Sequence, residues 1–329
     1  MAAMNQAEWL RGQIVSVQRL ADAIARIGIA TDEPTRALPG SHVDVRLPNG
    51  DIRSYSVVSG APDGRGVTLG VRLSPTSRGG SAFMHSLRPG DTLDVTAPLQ
   101  NFPLRVGAPR YVLLAGGVGI TAMVAMGEVL ARLGADYRFV YVGRSRSAMA
   151  FVDDLTATHG DRLEVHVDAE GAALDVTELI AGIDSQTELY MCGPIRLMDA
   201  VRRTWHDRSL PQANLRYETF GSSGWFDPET FVVSVPGMGV ETTVGTGESL
   251  LDALERAGVD MMFDCRKGEC GLCQVDVQSV CGSIDHRDVF LSEQQKQASN
   301  RLCACVSRVA AAPSNASPDT RPTLTLNLS

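Results

Sequence analysis

The sequence predicts a multidomain chain in which a small β-barrel is followed by a parallel α/β domain and then by a smaller α+β domain. Three observations support this prediction. Short alternating segments such as HVDVRL and VTLGVRL fill residues 13–99, strands alternate with helices over 110–220, and most of the seven cysteines lie from Cys265 to Cys305. A length of 329 residues fits two or three domains of ordinary size.

Changes of pattern along the chain predict the domain boundaries. We expect the barrel at residues 1–108, the α/β domain at 109–220 and the last domain at 231–329. The segment between them, GSSGWFDPET at 221–230, is rich in Gly and Ser without apolar periodicity, which predicts a linker. The polar stretch at 310–322 predicts a disordered loop before a final strand, TLTLNL.

Composition excludes several classes of protein. The net charge of −8 is opposite in sign to that of proteins that bind phosphate backbones. The N-terminal residues have no charged region followed by an apolar stretch, and the longest apolar run, 111–127, is interrupted by four glycines. We therefore expect a cytoplasmic protein that binds neither nucleic acid nor membrane and whose cysteines do not form a disulfide framework.

A cysteine motif in the last domain points to metal chemistry. Cys265, Cys270 and Cys273 form C-x4-C-x2-C, and a further cysteine follows about thirty residues later, which is the plant-type spacing of a [2Fe-2S] cluster. Gly268 and Gly271 allow the loop to fold closely and to direct N–H groups at the sulfurs. The alternatives are buried thiols and a zinc site, but zinc sites usually contain two C-x2-C pairs.

Spacing leaves the fourth ligand of this cluster open. Cys303 and Cys305 both lie at a suitable distance along the chain. On one strand they would point in the same direction, so periodicity does not separate them. Cys281 is expected in a short turn and is not expected to bind metal.

The α/β domain contains two candidate nucleotide-binding segments. Gly117, Gly119 and Ala122 satisfy G-x-G-x-x-A between a strand and a helix, where glycines let a pyrophosphate approach the positive end of the helix. The alternative is a tight turn without a ligand. Residues 192–194, CGP, open a later helix at the same expected edge of the sheet, although they too could simply start that helix.

The barrel contains a candidate phosphate site. Residues 53–56, RSYS, place an arginine and an aromatic residue two apart on a strand, where they could also simply face solvent and core. Residues 77–81, SRGGS, form a small-residue turn before the helical segment SAFMHSL. Backbone amides at such a turn can bind phosphate.

Together these motifs resemble the phthalate dioxygenase reductase family, which includes vanillate-demethylase-type reductases, over essentially the whole chain. In that family an FMN-binding barrel, a nicotinamide domain of the ferredoxin-NADP reductase type and a C-terminal plant-type ferredoxin of β-grasp fold follow in this order. The resemblance implies an NAD(P)H-dependent oxidoreductase that takes a hydride from NADH onto FMN. It further implies that single electrons pass through a [2Fe-2S] cluster to a Rieske-type oxygenase in the catabolism of small, aromatic compounds.

The resemblance also implies roles for individual residues. Arg53 is expected at the flavin phosphate and Tyr55 against the flavin ring, and the catalytic residues beside the reacting atoms would be Ser56, Cys192 and Phe220. The implied FMN-binding residues are Arg53, Ser54, Tyr55, Ser56, Val71, Arg72, Gly79, Gly80 and Ser81. The implied nicotinamide-binding residues are Gly116, Gly117, Gly119, Thr121, Arg144, Cys192, Gly193 and Pro194.

For the cluster, the resemblance favours Cys305 as the fourth ligand beside Cys265, Cys270 and Cys273, because the family's ligand directly precedes V-S-R. The extra Cys303 and the insertion at 310–322 depart from the family pattern.

The coenzyme is predicted from two opposed arguments. Arg144 and Arg146 follow the strand YRFVYVG without an acidic residue for the ribose 2′-hydroxyl, which by chemistry alone favours NADPH. The family generally uses NADH, and we predict NADH with NADPH as the alternative.

Two other functions compete with this prediction. One is a self-sufficient oxygenase or a reductase for a cytochrome P450 or another acceptor, but we expect no additional domain for oxygen chemistry, and the six histidines form no H-x-x-H or H-E-x-x-H cluster. A ferredoxin-like carrier without catalysis would leave the nucleotide-binding pattern of the first two domains without a role.

Overall fold

The computed structural model describes residues 7–75, 77, 79–221, 223–311 and 321–328. Most of the loop predicted at 310–322 therefore lies outside the described residues, as does Arg78 of the SRGGS segment.

By its contacts the chain divides into two compact units. One comprises residues 1–193 with 204–218, and the other comprises 194–203 with 219–329. The predicted domain boundaries at 108, 220 and 230 stay a prediction.

The first unit begins with an antiparallel barrel. Its elements are β1 (Trp9–Ala21), β2 (Ile24–Thr31), β3 (Ser41–Arg46), β4 (Ile52–Gly60), β5 (Gly66–Arg72), α1 (Gly80–Ser86), β6 (Thr92–Thr96) and β7 (Leu99–Gln100). The strands pair in the order β4-β5-β2-β1-β6-β3-β7, and an additional pairing of β4 with β3 closes the sheet. Alternating apolar residues such as Ile27, Val43 and Leu69 are fully buried inside it. The predicted barrel is confirmed.

A parallel sheet follows. Its elements are β8 (Arg110–Gly116), α2 (Ile120–Arg132), β9 (Tyr137–Gly143), α3 (Val152–His159), β10 (Leu163–Val167), α4 (Val176–Ala181), β11 (Thr187–Cys192), α5 (Ile195–Asp207) and β12 (Leu215–Glu218). The strand order is β10-β9-β8-β11-β12, and every pair is parallel. The order reverses between β8 and β11, so their carboxyl ends form the crevice where such sheets bind ligands.

The second unit contains a mixed sheet. Its further elements are β13 (Phe231–Val235), β14 (Val240–Val244), α6 (Leu250–Arg256), β15 (Gln274–Cys281), β16 (Ser283–Asp285), α7 (Glu293–Ala298), β17 (Arg301–Cys303), β18 (Arg308–Ala310) and β19 (Thr323–Asn327). Five strands pair in the order β14-β13-β19-β15-β17, and β16 pairs with β18. The apolar face of α6, with Leu250, Leu251 and Leu254, is buried in the core of this unit. The predicted α+β architecture and the final strand are confirmed.

One local expectation in this unit is wrong. Cys281 does not sit in a short turn but ends β15, where it is exposed. The strand continues to this residue because β15 pairs with β19 as far as Cys281 opposite Thr323.

The segment predicted as a linker makes ordered contacts within the second unit. The backbone N–H groups of Trp225 and Phe226 donate to the buried carboxylate of Asp285 at 2.8 and 3.4 Å. The same carboxylate pairs with Arg287 at 2.6 Å. The hydroxyl of Ser223 accepts the N–H of Ile195 at 2.9 Å. The assignment of 221–230 as a linker stays a prediction.

The helices are short. The longest described ones, α2 and α5, have 13 residues each, whereas a helix that crosses a bilayer needs about 20 apolar residues. Within the described part of the chain, no helix is long and apolar enough to cross a membrane.

Candidate functional site

The R-x-Y-S strand and the start of α1 lie against each other in the barrel. Gly80 is buried, and a Cβ atom at this position would lie 2.7 Å from Cγ of Arg53 and 3.0 Å from Oη of Tyr55. Only a residue without a side chain permits this approach. The structure therefore brings two segments together that the sequence predicts to bind the same phosphate and ring.

Tyr55 and Arg53 have different electrostatic surroundings. Burial raises the pKa of Tyr55 to about 12, although the charge of Arg53 opposes the shift. The phenol therefore stays neutral. Arg53 contacts the carboxylate of Asp51 at 2.9 Å and donates to the carbonyl of Ile52 at 2.8 Å. The Ser54 hydroxyl, by contrast, donates to Asp44 at 2.6 Å on the exposed surface.

Ser56 has a partner that is distant in sequence. Its buried hydroxyl donates to Oε2 of Glu218 at 3.2 Å. Glu218 is also buried and ends β12, the last strand of the parallel sheet. The contact therefore joins the barrel to the parallel sheet within the first unit. Phe220, the third predicted catalytic residue, is partly buried and belongs to the second unit.

In the predicted phosphate turn, Ser77 rather than the N-cap residue caps α1, because the N–H of Ala82 donates to the Ser77 hydroxyl at 3.2 Å. Gly79 is the N-cap residue of α1, with φ of 89°, so it has no side chain that could accept from the first N–H groups of the helix. The hydroxyl of Ser81 instead accepts the N–H of Ser74 at 3.1 Å and donates to Ser77 at 2.9 Å. These bonds tie Ser81, at the start of α1, to Ser74 and Ser77. Backbone N–H groups at such a helix start can bind an anion.

Val71 and Arg72, predicted to offer backbone groups to the flavin ring, end β5. Val71 is buried, and its carbonyl accepts from Nε2 of His85 at 2.9 Å. Arg72 is exposed.

In the glycine turn after β8, Gly117 faces open space and Gly119 packs against neighbouring backbone. Gly117 has φ of 54°, and a Cβ atom there would meet no atom within 4 Å. A Cβ atom at Gly119 would instead lie 2.1 Å from the carbonyl oxygen of Cys192 and 2.9 Å from the nitrogen of Gly193. The two predicted nucleotide segments thus lie side by side. Gly117 presents the open surface that a pyrophosphate requires.

The barrel and this turn also meet within the first unit. A Cβ atom at Gly70 of β5 would lie 2.5 Å from Cγ2 of Thr121, the buried residue that begins the predicted nucleotide helix with Ile120. The Thr121 hydroxyl donates to the carbonyl of Val118 at 2.9 Å. Gly116 and Cys192 are buried at the ends of β8 and β11, and Pro194 is exposed. The candidate flavin and nicotinamide sites are therefore neighbours.

Sequence reasoning missed an acidic residue beside the two candidate arginines. The guanidinium of Arg146 makes two hydrogen bonds to the carboxylate of Glu170, at 2.9 and 2.8 Å. These bonds lower the pKa of Glu170. Arg144 is exposed, and its carbonyl accepts the N–H of Ala169 at 2.9 Å. The pairing of β9 with β10 could have indicated Glu170. These strands are parallel neighbours, so the loops that follow them, which carry Arg146 and Glu170, meet at one edge of the sheet.

The cysteine loop directs backbone donors at a sulfur, as predicted from its glycines. The N–H groups of Lys267, Glu269 and Cys270 each donate to Sγ of Cys265 at 3.4 Å. Gly268, with φ of 77°, is packed so closely that a Cβ atom there would lie 2.7 Å from the side chain of Val306. Such N–H···S bonds stabilise a thiolate and tune the potential of a bound cluster.

Cys303 and Cys305 do not share one strand, so the expectation from alternation is wrong. β17 ends at Cys303, and the chain turns through 304–306, which buries both residues. Cys305 hydrogen-bonds with both Cys265 and Cys273, whereas the side-chain hydrogen bond of Cys303 is with Cys273.

These contacts lower the pKa of two of the thiols and raise the pKa of the other two. The hydrogen bond from Cys305, together with the three backbone donors, lowers the pKa of Cys265 to about 4. Hydrogen bonds from Cys303 and Cys305 lower the pKa of Cys273 to about 3. The same contacts, together with burial, raise the pKa of Cys303 and of Cys305. Buried thiols this close ionise together only beside a positive charge, so the donor set fits a [2Fe-2S] cluster.

The fold and these sites define an electron-transfer reductase with a flavin site, a nicotinamide site and an iron–sulfur site. Residues 233–310 match the 2Fe-2S iron-sulfur cluster binding domain. Over 273 residues the chain is 36% identical to the phenoxybenzoate dioxygenase subunit beta of Ectopseudomonas oleovorans, which covers 82% of this chain and 83% of that protein. The chain belongs to the phthalate dioxygenase reductase family, the reductase components of oxygenase systems.

Two further comparisons agree with this assignment. The chain is 36% identical over 275 residues to the heme-dependent oxidative N-demethylase beta subunit of Ectopseudomonas mendocina, covering 83% of this chain and 87% of the relative. It superposes on phthalate dioxygenase reductase with a TM-score of 0.70 and 28% identity, over 97% of this chain and 98% of that one. The chain is therefore an oxidoreductase that passes electrons from NADH through a flavin and a [2Fe-2S] cluster to an oxygenase. The predicted class of function is confirmed.

Proposed function

We propose that the acceptor is a Rieske-type oxygenase that hydroxylates or demethylates a small aromatic compound, and that the flavin is FMN. This proposal rests on the set of cysteine thiols around Cys265, which fits a plant-type cluster. Such a cluster carries one electron at a time. A Rieske centre is itself a [2Fe-2S] centre and accepts one electron at a time. The name of the phenoxybenzoate dioxygenase relative supports an aromatic substrate. A cytoplasmic location stays a prediction.

A haem oxygenase, such as a cytochrome P450, is the second candidate acceptor. It is favoured by the relative named as a subunit of a heme-dependent oxidative N-demethylase. Purifying the oxygenase that accepts electrons from this chain distinguishes the two, because a haem absorbance band in that partner would contradict a Rieske-type acceptor.

FMN is proposed over FAD because the turn at Gly79–Ser81 can hold a terminal phosphate with its backbone N–H groups. Between this turn and Pro98 the sequence contains no segment suited to stack an adenosine. Arg53 would add a charge-assisted contact to the phosphate.

Within the first unit, the chain's own residues would orient the reactants. When bound, the flavin accepts a hydride and the cluster carries single electrons. Tyr55 stays neutral and offers its ring face to the flavin, and Ser56 is held by Glu218. Because the Ser56 hydroxyl donates to Glu218, its oxygen can accept a hydrogen bond from a ligand. Gly117 would hold the coenzyme pyrophosphate, and Gly119 would let this turn pack against Cys192.

The proposed function is tested on the full chain. Heat treatment should release FMN, and NADH should reduce both 1,4-benzoquinone and cytochrome c. In the Cys270→Ser variant, cytochrome c reduction should fall by about tenfold or more, because a cluster ligand is lost, while quinone reduction directly from the flavin continues. Release of FAD would contradict the cofactor proposal, and undiminished cytochrome c reduction in Cys270→Ser would contradict the electron path.

Coenzyme choice is expected to depend on Glu170. In the Glu170→Lys variant, Arg146 loses its partner and a second cation is added, so the ratio of kcat/KM for NADPH to that for NADH should rise by about tenfold, the scale of one charge-assisted hydrogen bond. Measuring both constants checks this. Asp161→Lys is the matched control, because Asp161 is exposed and precedes β10, at the opposite edge of the sheet. An equal shift in the control, or an unchanged ratio in Glu170→Lys, would refute the role of Glu170.

A further inference from the structure

Large apolar side chains are exposed around the cysteine loop of the second unit. The exposed fractions are 75% for Met262, 38% for Phe263, 48% for Leu272 and 46% for Phe290. Scattered apolar residues are common on protein surfaces, but a group of large ones marks an interaction site. We call these four residues the cluster rim.

Each member of the cluster rim is tied to the proposed iron–sulfur site. Phe263 lies two residues before Cys265, and Leu272 lies between two proposed cluster ligands. The ring of Phe290 packs on the loop itself, because a Cβ atom at Gly271 would lie 2.3 Å from it. Met262 adjoins Phe263 and is the most exposed of the four.

Ion pairs and a ring contact hold part of the cluster rim in place. The guanidinium of Arg266 lies 4.2 Å from the ring centre of Phe263. Arg266 also pairs with Asp252 at 2.5 Å and with Glu255 at 2.9 Å on α6. A surface that is already ordered loses less conformational entropy when it binds a partner.

The charge around the cluster rim is negative. Residues 229–329 contain 13 acidic and 8 basic residues. Of the basic ones, Arg256, Arg266, Arg287, Lys296 and Arg301 are all engaged in ion pairs. Asp260 and Asp264 flank Met262 and Phe263, are exposed, and have no ion pair among the described residues. Lys267, the other basic residue of this loop, acts on the carboxylate of Glu269. The unpaired charge directly beside Met262 and Phe263 is therefore acidic.

We infer that the cluster rim is the docking surface for the protein acceptor, and that this acceptor presents an apolar patch bordered by lysines and arginines. The inference rests on the proposed function. Apolar side chains with few charges form the core of protein interfaces, and opposite charges at the border steer the encounter. Docking here brings the acceptor to the loop that carries three proposed ligands.

Cytochrome c is a suitable probe, because it is a basic protein whose exposed haem edge is surrounded by lysines. In Met262→Lys and Phe263→Lys the apolar contact is lost and a repelling charge is added. The KM for cytochrome c should rise by about fivefold to tenfold, the scale of a central interface residue. Cluster absorbance and the NADH-dependent reduction of 1,4-benzoquinone, a small neutral acceptor, should not change.

Met238→Lys is the matched control. Met238 is 49% exposed and lies in the turn between β13 and β14, at the edge of the sheet opposite β17. It carries the same change of charge, so an equal rise in KM would show a general charge effect and overturn the inference. Unchanged KM values in both cluster-rim variants would overturn it as well. Two other results would contradict the proposed function rather than the docking surface. These are no reduction of cytochrome c by the wild-type protein, or equally fast reduction by Cys270→Ser.

Discussion

Replacing Cys305 by Ser is expected to remove the visible absorbance of the [2Fe-2S] cluster, whereas replacing Cys303 by Ser should leave it in place. Two irons require thiolates on both sides of the site. Cys305 contacts Cys265 and Cys273, which belong to opposite ends of the cysteine loop. The side-chain hydrogen bond of Cys303 is with Cys273, and Cys265 acts on Cys303 only through its charge. Geometry and family resemblance therefore favour the same fourth ligand.

The measurement is the visible spectrum together with the iron and sulfide content of each purified variant. Cys281→Ser is the control, because Cys281 is exposed at the end of β15. It should retain the wild-type spectrum and metal content. A bleached spectrum in Cys303→Ser, with normal iron and sulfide in Cys305→Ser, would contradict the assignment and make Cys303 the ligand.

The fold could be predicted because its signals are local. Alternation in HVDVRL and VTLGVRL marked β3 and β5, and turn residues separated them. The strands YRFVYVG and RLEVHV, separated by a helical segment, marked β9 and β10 of a parallel sheet. The C-x4-C-x2-C spacing identified the cluster loop, because ligands supplied by one loop must be close in sequence.

Contacts between distant residues could not be predicted in this way. Ser56 and Glu218 are 162 positions apart, and no periodicity of either strand indicates that they meet. Glu170 approaches Arg146 from the loop of a neighbouring strand, so the absence of an acidic residue after β9 was misleading. Alternation gave Cys303 and Cys305 the same direction because it assumed one continuous strand, whereas β17 ends at Cys303.

Replacing Gly80 by Val is expected to weaken FMN binding by about 10- to 100-fold, which corresponds to roughly 1.4 to 2.7 kcal/mol. A Cβ atom at this position already lies 2.7 Å from Cγ of Arg53 and 3.0 Å from Oη of Tyr55, and Val adds two methyl groups. Both neighbours must move, so the proposed charge-assisted phosphate contact of Arg53 and the proposed ring contact of Tyr55 should be lost together. Arg53→Ala, which removes the phosphate contact alone, should have a smaller effect.

Titration of the flavin-free protein with FMN, followed by quenching of flavin fluorescence, gives the dissociation constant for each variant. Ala82→Val is the matched control, because Ala82 is exposed and lies two positions after Gly80 in the same helix, where side chains do not face each other. It takes the same β-branched side chain. If Gly80→Val is too unstable to purify, Gly80→Ala still places a Cβ atom against Arg53 and should weaken binding measurably. Equal dissociation constants for the Gly80 variants and Ala82→Val would contradict a flavin site at this end of the barrel. The close approach of α1 to Arg53 would then not affect flavin binding.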